Sequence, residues 1–171
     1  NICKMINLKR NFQDVLEFIN NKVCLVRLDL NVPFIDGLVS DTTRVEKIIP
    51  TLKLLLNRNA KIVIISHRGR PKGKNIQDLS LKPLVKILEK QLGSSVLFEE
   101  NHINNEKTEK RIKNLKPGNI LLLENIRFYS QEETNDPNFS KKIARLGDIY
   151  INDSFSTSHR NHSSISGVAS F

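Results

Sequence analysis

The chain has 171 residues, 39% of them hydrophobic and 26% charged. That is enough for one domain with its own core, too little for two ordinary ones, and too apolar for a disordered chain. Lysine and arginine number 27 against 18 acids, and the net charge of +9 favours an anionic partner: nucleic acid, a membrane surface or a phosphorylated metabolite.

The stretch from Asn1 to Arg10 is polar and basic, unlike a signal peptide, and no apolar run approaches the roughly 20 residues of a membrane span. A cytoplasmic protein is expected. Met5 is the only methionine, so residues 1–4 read as a leader or fragment edge and 5–171 as the domain. Cys3 falls in that leader. Cys24 sits in an apolar run and reads as a small buried hydrophobe, so no disulfide framework or cysteine metal site is expected.

The first apolar run, Val23 to Leu28, predicts a strand. Asp36-Gly37 predicts a hairpin turn, and Asp41 and Thr42 a cap for the helix that follows. That helix, Thr42 to Arg58, places Val45, Ile48, Ile49, Leu52 and Leu55 at helical spacing, with a kink or restart expected at Pro50. Ile62 to Ser66 predicts the second strand. Leu81 to Leu92 predicts a helix between Ser80 as N-cap and Gly93 as stop. Val96 to Phe98 is the third strand. Lys107 to Leu115 is a weaker helix ending at Pro117-Gly118, and the mixed charges of Glu106 to Lys116 read as its solvated face. Ile120 to Leu123 is the fourth strand, Asn138 to Leu146 a further helix, and Ile149 to Ile151 the fifth strand. Glu132 and Glu133 read as solvent-facing. Ser154 to Ser170, rich in Ser and His, reads as a functional loop.

Continuous rather than alternating apolar runs suit strands buried on both faces, and strands alternating with helices build right-handed βαβ units. The expectation is an α/β fold: an open, doubly wound, mainly parallel sheet with helices on both faces, a Rossmann-like three-layer single domain. Such sheets bind ligands at the carboxyl ends of their strands. Four loops follow strand ends here: Arg27 to Pro33, Ser66 to Gly73, Glu124 to Phe128, and Asn152 to His162. Each carries at least one arginine, and Arg44 opens the first helix. Guanidinium groups match carboxylate and phosphate in bidentate fashion, and several converging would repel one another without an anion between them. Gly69 and Gly73 are expected to let backbone amides approach that ligand.

Each piece also has a purely structural reading. Arg27 can pair with Asp29 or Asp153. Asp29 and Asn31 can cap the turn around Pro33, His67 can be a structural hydrogen-bonding residue, and Lys72 to Lys74 can be a solvated loop. His159 and His162 suggest a metal pair by type but lack acidic or cysteine companions, so no metal site is expected. Neither G-x-x-x-x-G-K-[ST] nor G-x-G-x-x-G occurs, and no Ser-His-acid elbow, so no nucleotide or cofactor site is expected in this chain.

Four segments resemble the phosphoglycerate kinase family: V-R-L-D-L-N-V-P, S-H-R-G-R-P-K-G, L-L-L-E-N-I-R-F and Y-I-N-D-S-F-S-T-S-H-R-N-H-S-S. They stand in the family's order from about Lys22 to Gly167. The resemblance implies the N-terminal, 3-phosphoglycerate-binding domain. The C-terminal domain, which holds Mg-ATP or Mg-ADP, is then absent, and the isolated chain is inactive. It also implies that Asp29 and Asn31 bind the glycerate end. Arg44 would contact the attacking carboxyl group as the catalytic residue, and His67, Arg70, Arg127 and Arg160 would hold the 3-phosphate and the acid. Arg27 would be structural support. A monomer is implied, packed on its own C-terminal domain, with no membrane and no nucleic-acid partner.

Three positions depart from the family's pattern. Arg68 replaces a leucine and is expected to add charge beside the site, and Ser154 and Ser156 replace alanine and glycine. A positive φ at Ser156 would strain the last loop. Two rival readings are a non-enzymatic truncated remnant that binds anions and a nucleic-acid-binding domain. Against the second, aromatic residues are only 6%, with no tryptophan and no basic helical stripe.

Overall fold

A computed structural model describes residues 15–101, 103 and 105–171. The leader, Cys3 and Met5 lie outside the described residues. In chain order the elements are β1 (Val23–Leu28), β2 (Phe34–Ile35), β3 (Leu38–Val39), α1 (Thr43–Leu56), β4 (Lys61–Ile65), α2 (Leu84–Leu92), β5 (Val96–Glu99), α3 (Glu106–Lys113), β6 (Ile120–Leu123), α4 (Ser130–Glu133), α5 (Pro137–Ala144) and β7 (Ile149–Asp153). A single π-helical turn, Ser163–Gly167, lies near the end.

The five apolar runs are the strands of one sheet, ordered β5-β6-β4-β1-β7, and every pair is parallel. Successive side chains of a strand point to opposite faces. Cys24, Val26 and Leu28 of β1, with Ile62 and Ile64 of β4, therefore pack under α1 and α2. Leu25, Val63, Ile65 and Leu121 pack under α3 and α5 on the other face. The same alternation sends Arg27 to the face of Leu25, inside the core. Winding runs from β1 towards β5, then crosses from β6 to β7 on the far side of β1. The reversal puts the carboxyl ends of β1, β4, β6 and β7 around a crevice.

Local chemistry explains the element ends. Asp36 and Gly37 both have positive φ, 50° and 77°, as a tight hairpin turn between β2 and β3 requires. Asp41 Oδ1 accepts from Thr43 N at 2.8 Å at the start of α1, while Thr42, which holds the N-cap position, makes no side-chain capping bond. The helix continues through Pro50 rather than restarting. Its buried stripe of Val45, Ile48, Ile49, Leu52 and Leu55 holds it on the sheet, each side chain contributing about 1.5–3 kcal/mol. α2 starts three residues later than its periodicity predicts. Ser80 Oγ accepts from Lys82 N at 3.1 Å, and Glu124 takes Leu81 N at 2.9 Å, which closes a turn first. Gly93, in the left-handed region, ends α2. Asp136 caps α5, accepting from Phe139 N at 2.7 Å.

Candidate anion-binding crevice

The crevice floor is β1. Asp29 Oδ1 accepts from Asn31 N at 3.2 Å, and Asn31 Oδ1 accepts from Gly69 N at 2.9 Å, tying the β1 loop to the β4 loop. Ser66 adds a second tie, accepting from Leu30 N at 3.0 Å and donating to Leu28 O at 2.8 Å. Asp29 Oδ2 accepts from Arg44 Nη1, in the first turn of α1, and from Ser156 Oγ at 2.5 Å. One carboxylate thus joins three distant segments.

Arg127 sits on a 3₁₀ turn after β6 whose cap is Asn125, accepting from Arg127 N at 3.1 Å. The Asn125 amide donates to Arg68 O at 2.8 Å and to Leu79 O at 2.9 Å, so this buried side chain sets the spacing between the β4 and β6 loops. Arg127 is 3% exposed and donates from Nη1 to Gly69 O at 2.8 Å. Its Nε is buried without a hydrogen-bond partner, with Glu133 Oε1 3.7 Å away. A buried guanidinium N–H without a hydrogen bond is costly, and Glu133 offsets it by charge alone at that distance.

Charges of both signs surround Arg127. Burial lowers its proton affinity, Glu133 and Glu132 act against that, and Arg160 and Arg70 press it further down. Burial, then Arg27, Arg127, Arg160 and His162, drive His67 down to about 2, so its imidazole is neutral. A guanidinium can only donate, so His67 Nδ1, 2.9 Å from Arg27 Nη2, is an acceptor and the ring proton lies on Nε2. Neutral His67 is then a hydrogen-bond donor in a cationic neighbourhood. Among the described residues neither Arg70 nor Arg160 forms an ion pair.

Arg70, Arg127, Arg160, His67 and His162 therefore form one electrostatic cluster, while Arg44 joins it only through Asp29. Several expectations change. Glu132 is fully buried rather than solvent-facing, because Arg27, buried on the same face, requires an acid there. Arg27 pairs with neither Asp29 nor Asp153. It donates from Nε to Ser164 Oγ at 3.1 Å, from Nη1 to Leu28 O and from Nη2 to His67, and Asp153 takes Thr51 Oγ1 instead at 2.7 Å. Arg68 lies over the Phe34 ring and donates to Ser80 O at 3.0 Å; the charges acting on it are Asp78 and Glu124, so it adds none to the cluster. The Gly69 and Gly73 amides bond to Asn31 and Arg127 O rather than facing a ligand. Ser156 lies in a 3₁₀ turn and is not among the described residues with positive φ.

A family model for phosphoglycerate kinase matches residues 13–171. The chain belongs to the phosphoglycerate kinase family. It is 46% identical over 155 residues to the phosphoglycerate kinase of Dictyoglomus turgidum, covering 91% of this chain and 39% of that protein. It is 49% identical over 148 residues to that of Rhodospirillum centenum, covering 86% and 37%. The phosphoglycerate kinase structure from Coxiella burnetii superposes with a TM-score of 0.79 at 33% identity, covering 88% of this chain and 37% of that one. That from Pyrococcus horikoshii gives 0.78 at 31% identity, covering 87% and 38%. The chain thus spans under two-fifths of the length of these phosphoglycerate kinases.

Reading the sequence missed Asn125, Glu132 and Ser164. An arginine inside an apolar strand signals that some acid must be buried with it, but nothing local marks which one. Among the described residues no three His, Cys, Asp or Glu side chains gather as a metal-ligating group, and no helix is long and apolar enough to cross a membrane.

Proposed function

We propose that this chain is the acid-substrate half of an ATP-dependent phosphoglycerate kinase and that the crevice binds 3-phosphoglycerate. The observation that carries the reading is Arg127. Its buried Nε has no hydrogen bond, only the Glu133 carboxylate 3.7 Å away, and it lies beside Arg70, Arg160 and neutral His67, an environment that a phosphate or carboxylate would satisfy.

In this reading His67, Arg70, Arg127 and Arg160 hold the 3-phosphate and the acid, while Asp29 and Asn31 take the glycerate end. Arg44, half-exposed at the rim, moves from Asp29 to the substrate carboxyl group and neutralises charge on the phosphoryl group in flight. The residues supply position and charge, which phosphoryl transfer needs more than covalent chemistry. Mg-ATP or Mg-ADP is assigned to the remaining length of the family's full protein, and residues 5–171 to a single cytoplasmic domain that packs on that partner. The 171 residues alone bind the acid weakly and turn nothing over.

Calorimetric titration of 3-phosphoglycerate into the chain and into Arg44→Ala and Arg160→Ala tests this. Each lost charge-assisted contact costs about 1.5–3 kcal/mol, or roughly 10- to 150-fold in affinity. Equal binding by all three proteins, or none by the parent chain, would sink the reading.

A further inference from the structure

The face of β1 opposite α1 holds a buried polar cluster behind the crevice. Its hub is Ser164, in the π-helical turn. Ser164 N and Oγ both donate to Glu132, at 2.8 Å and 2.6 Å, and the same Oγ accepts from Arg27 Nε at 3.1 Å. Ser164 O accepts from Tyr150 OH at 2.7 Å. Arg27, Glu132 and Ser164 are each no more than 1% exposed. From Arg27 the chain of contacts continues to His67 Nδ1 at 2.9 Å, and from Glu132 Oε1 to His162 Nδ1 at 3.9 Å.

Both ends of this cluster reach residues of the anion crevice. Arg27 fixes which nitrogen of His67 carries the proton, and Glu132 anchors the turn that follows the Arg160 loop. A guanidinium forced into a core strand needs an anchored acid, or its fork turns to other acceptors and releases His67. Both Glu132 oxygens accept hydrogen bonds, which is the pattern of a carboxylate. Burial pushes that carboxyl upward, while the Ser164 donors, Arg27 and Arg127 oppose it.

We propose that Glu132 is a positioning residue for anion binding: through Ser164 and Arg27 it holds His67 as the Nε2–H tautomer and fixes the turn that follows the Arg160 loop. The inference rests on the crevice binding an anion. It separates from plain electrostatics by sign. Glu132→Gln makes the protein one charge more positive, so a purely coulombic role predicts tighter anion binding, whereas a positioning role predicts weaker binding.

The test combines ¹⁵N NMR of the histidine rings with titration of inorganic phosphate into the chain, Glu132→Gln, Glu132→Asp and Ser164→Ala. The parent chain is expected to show the proton of His67 on Nε2. In Glu132→Gln the ring becomes a mixture of tautomers and phosphate affinity falls about tenfold, the loss of one oriented charge-assisted contact. Glu132→Asp keeps the charge but shortens the reach, and it is expected to lose affinity as well. A folded Glu132→Gln with unchanged or tighter phosphate binding, or with an unchanged His67 tautomer, overturns the proposal. If the Glu132 variants fail to fold, the parent spectrum and Ser164→Ala decide, and a proton on Nδ1 of the parent overturns it. Absence of phosphate binding by the parent would remove the functional reading, while the His67 tautomer in parent and variants would still decide the Glu132–Arg27 linkage.

Discussion

Ser156 donates its hydroxyl to Asp29 Oδ2 at 2.5 Å, across 127 residues of sequence. The same oxygen accepts from Arg44, and the other carboxylate oxygen from Asn31 N. Asp29 Oδ2 therefore already accepts from two of the protein's own donors. A substrate hydroxyl approaching that oxygen must displace one of them. Ser156→Ala removes the weakest-charged competitor, so affinity for 3-phosphoglycerate is expected to rise about fivefold, the value of one ordinary hydrogen bond near 1 kcal/mol. Calorimetry reads it directly. Unchanged or weaker binding would mean that the serine supports the loop rather than competing.

Arg127 offers a test of geometry against charge. Arg127→Lys keeps the positive charge but loses the fork whose Nη1 reaches Gly69 O and whose Nε has no hydrogen bond of its own. A loss in affinity of at least about tenfold is expected, since a point charge cannot reproduce a bidentate contact. Affinity equal to the parent's would show that net charge alone suffices.

The histidines set an acid-side stability limit. His67 in the folded chain has its pKa driven down to about 2, chiefly by burial and then by Arg27, so the folded protein refuses a proton that the unfolded chain accepts near its ordinary 6.5. The unfolded state binds more protons below that pH, and stability therefore falls as pH drops. The slope is about 1.4 kcal/mol per pH unit for a single such group. Burial also lowers His162, which adds in the same direction. Urea midpoints between about pH 6.5 and 5, where exposed carboxylates stay ionised, are expected to decline in the parent and to decline less in His67→Gln. Parallel profiles would refute a neutral buried His67.

Two glycines separate backbone strain from crowding. A Cβ at Gly73, whose φ is +76°, would stand 2.8 Å from Ser130 Cβ and 3.0 Å from its Cα. At Gly37, with φ +77°, nothing lies within 4 Å. Gly37→Ala is expected to cost about 1 kcal/mol, from the left-handed backbone alone. Gly73→Ala adds a collision with backbone and should cost about 2–3 kcal/mol or more, displacing α4 and with it Glu132 and Glu133. Chemical denaturation of both variants gives the comparison. Equal losses would place the whole effect in φ.

The chain's own order of residues determined much of this protein. The five strands were legible because a parallel sheet covered on both faces demands unbroken apolar runs, and the hairpin because Asp36-Gly37 suits two positive φ angles. The loops bearing Asp29, His67, Arg127 and Arg160 were legible as strand-end loops because an apolar run ends just before each of them. Tertiary structure alone decided which charges meet. Nothing within a few residues of Glu132 distinguishes it from Glu133. It is buried because β1's alternation turns Arg27 inward, and only the packed π-helical turn supplies Ser164 to join the two. Arg68 likewise reads as part of the cluster until the Phe34 ring draws it away. Short-range preference depends on spacing along the chain, whereas the partner of a buried charge is chosen by the cost of leaving it unpaired, and that cost exists only once the core has closed.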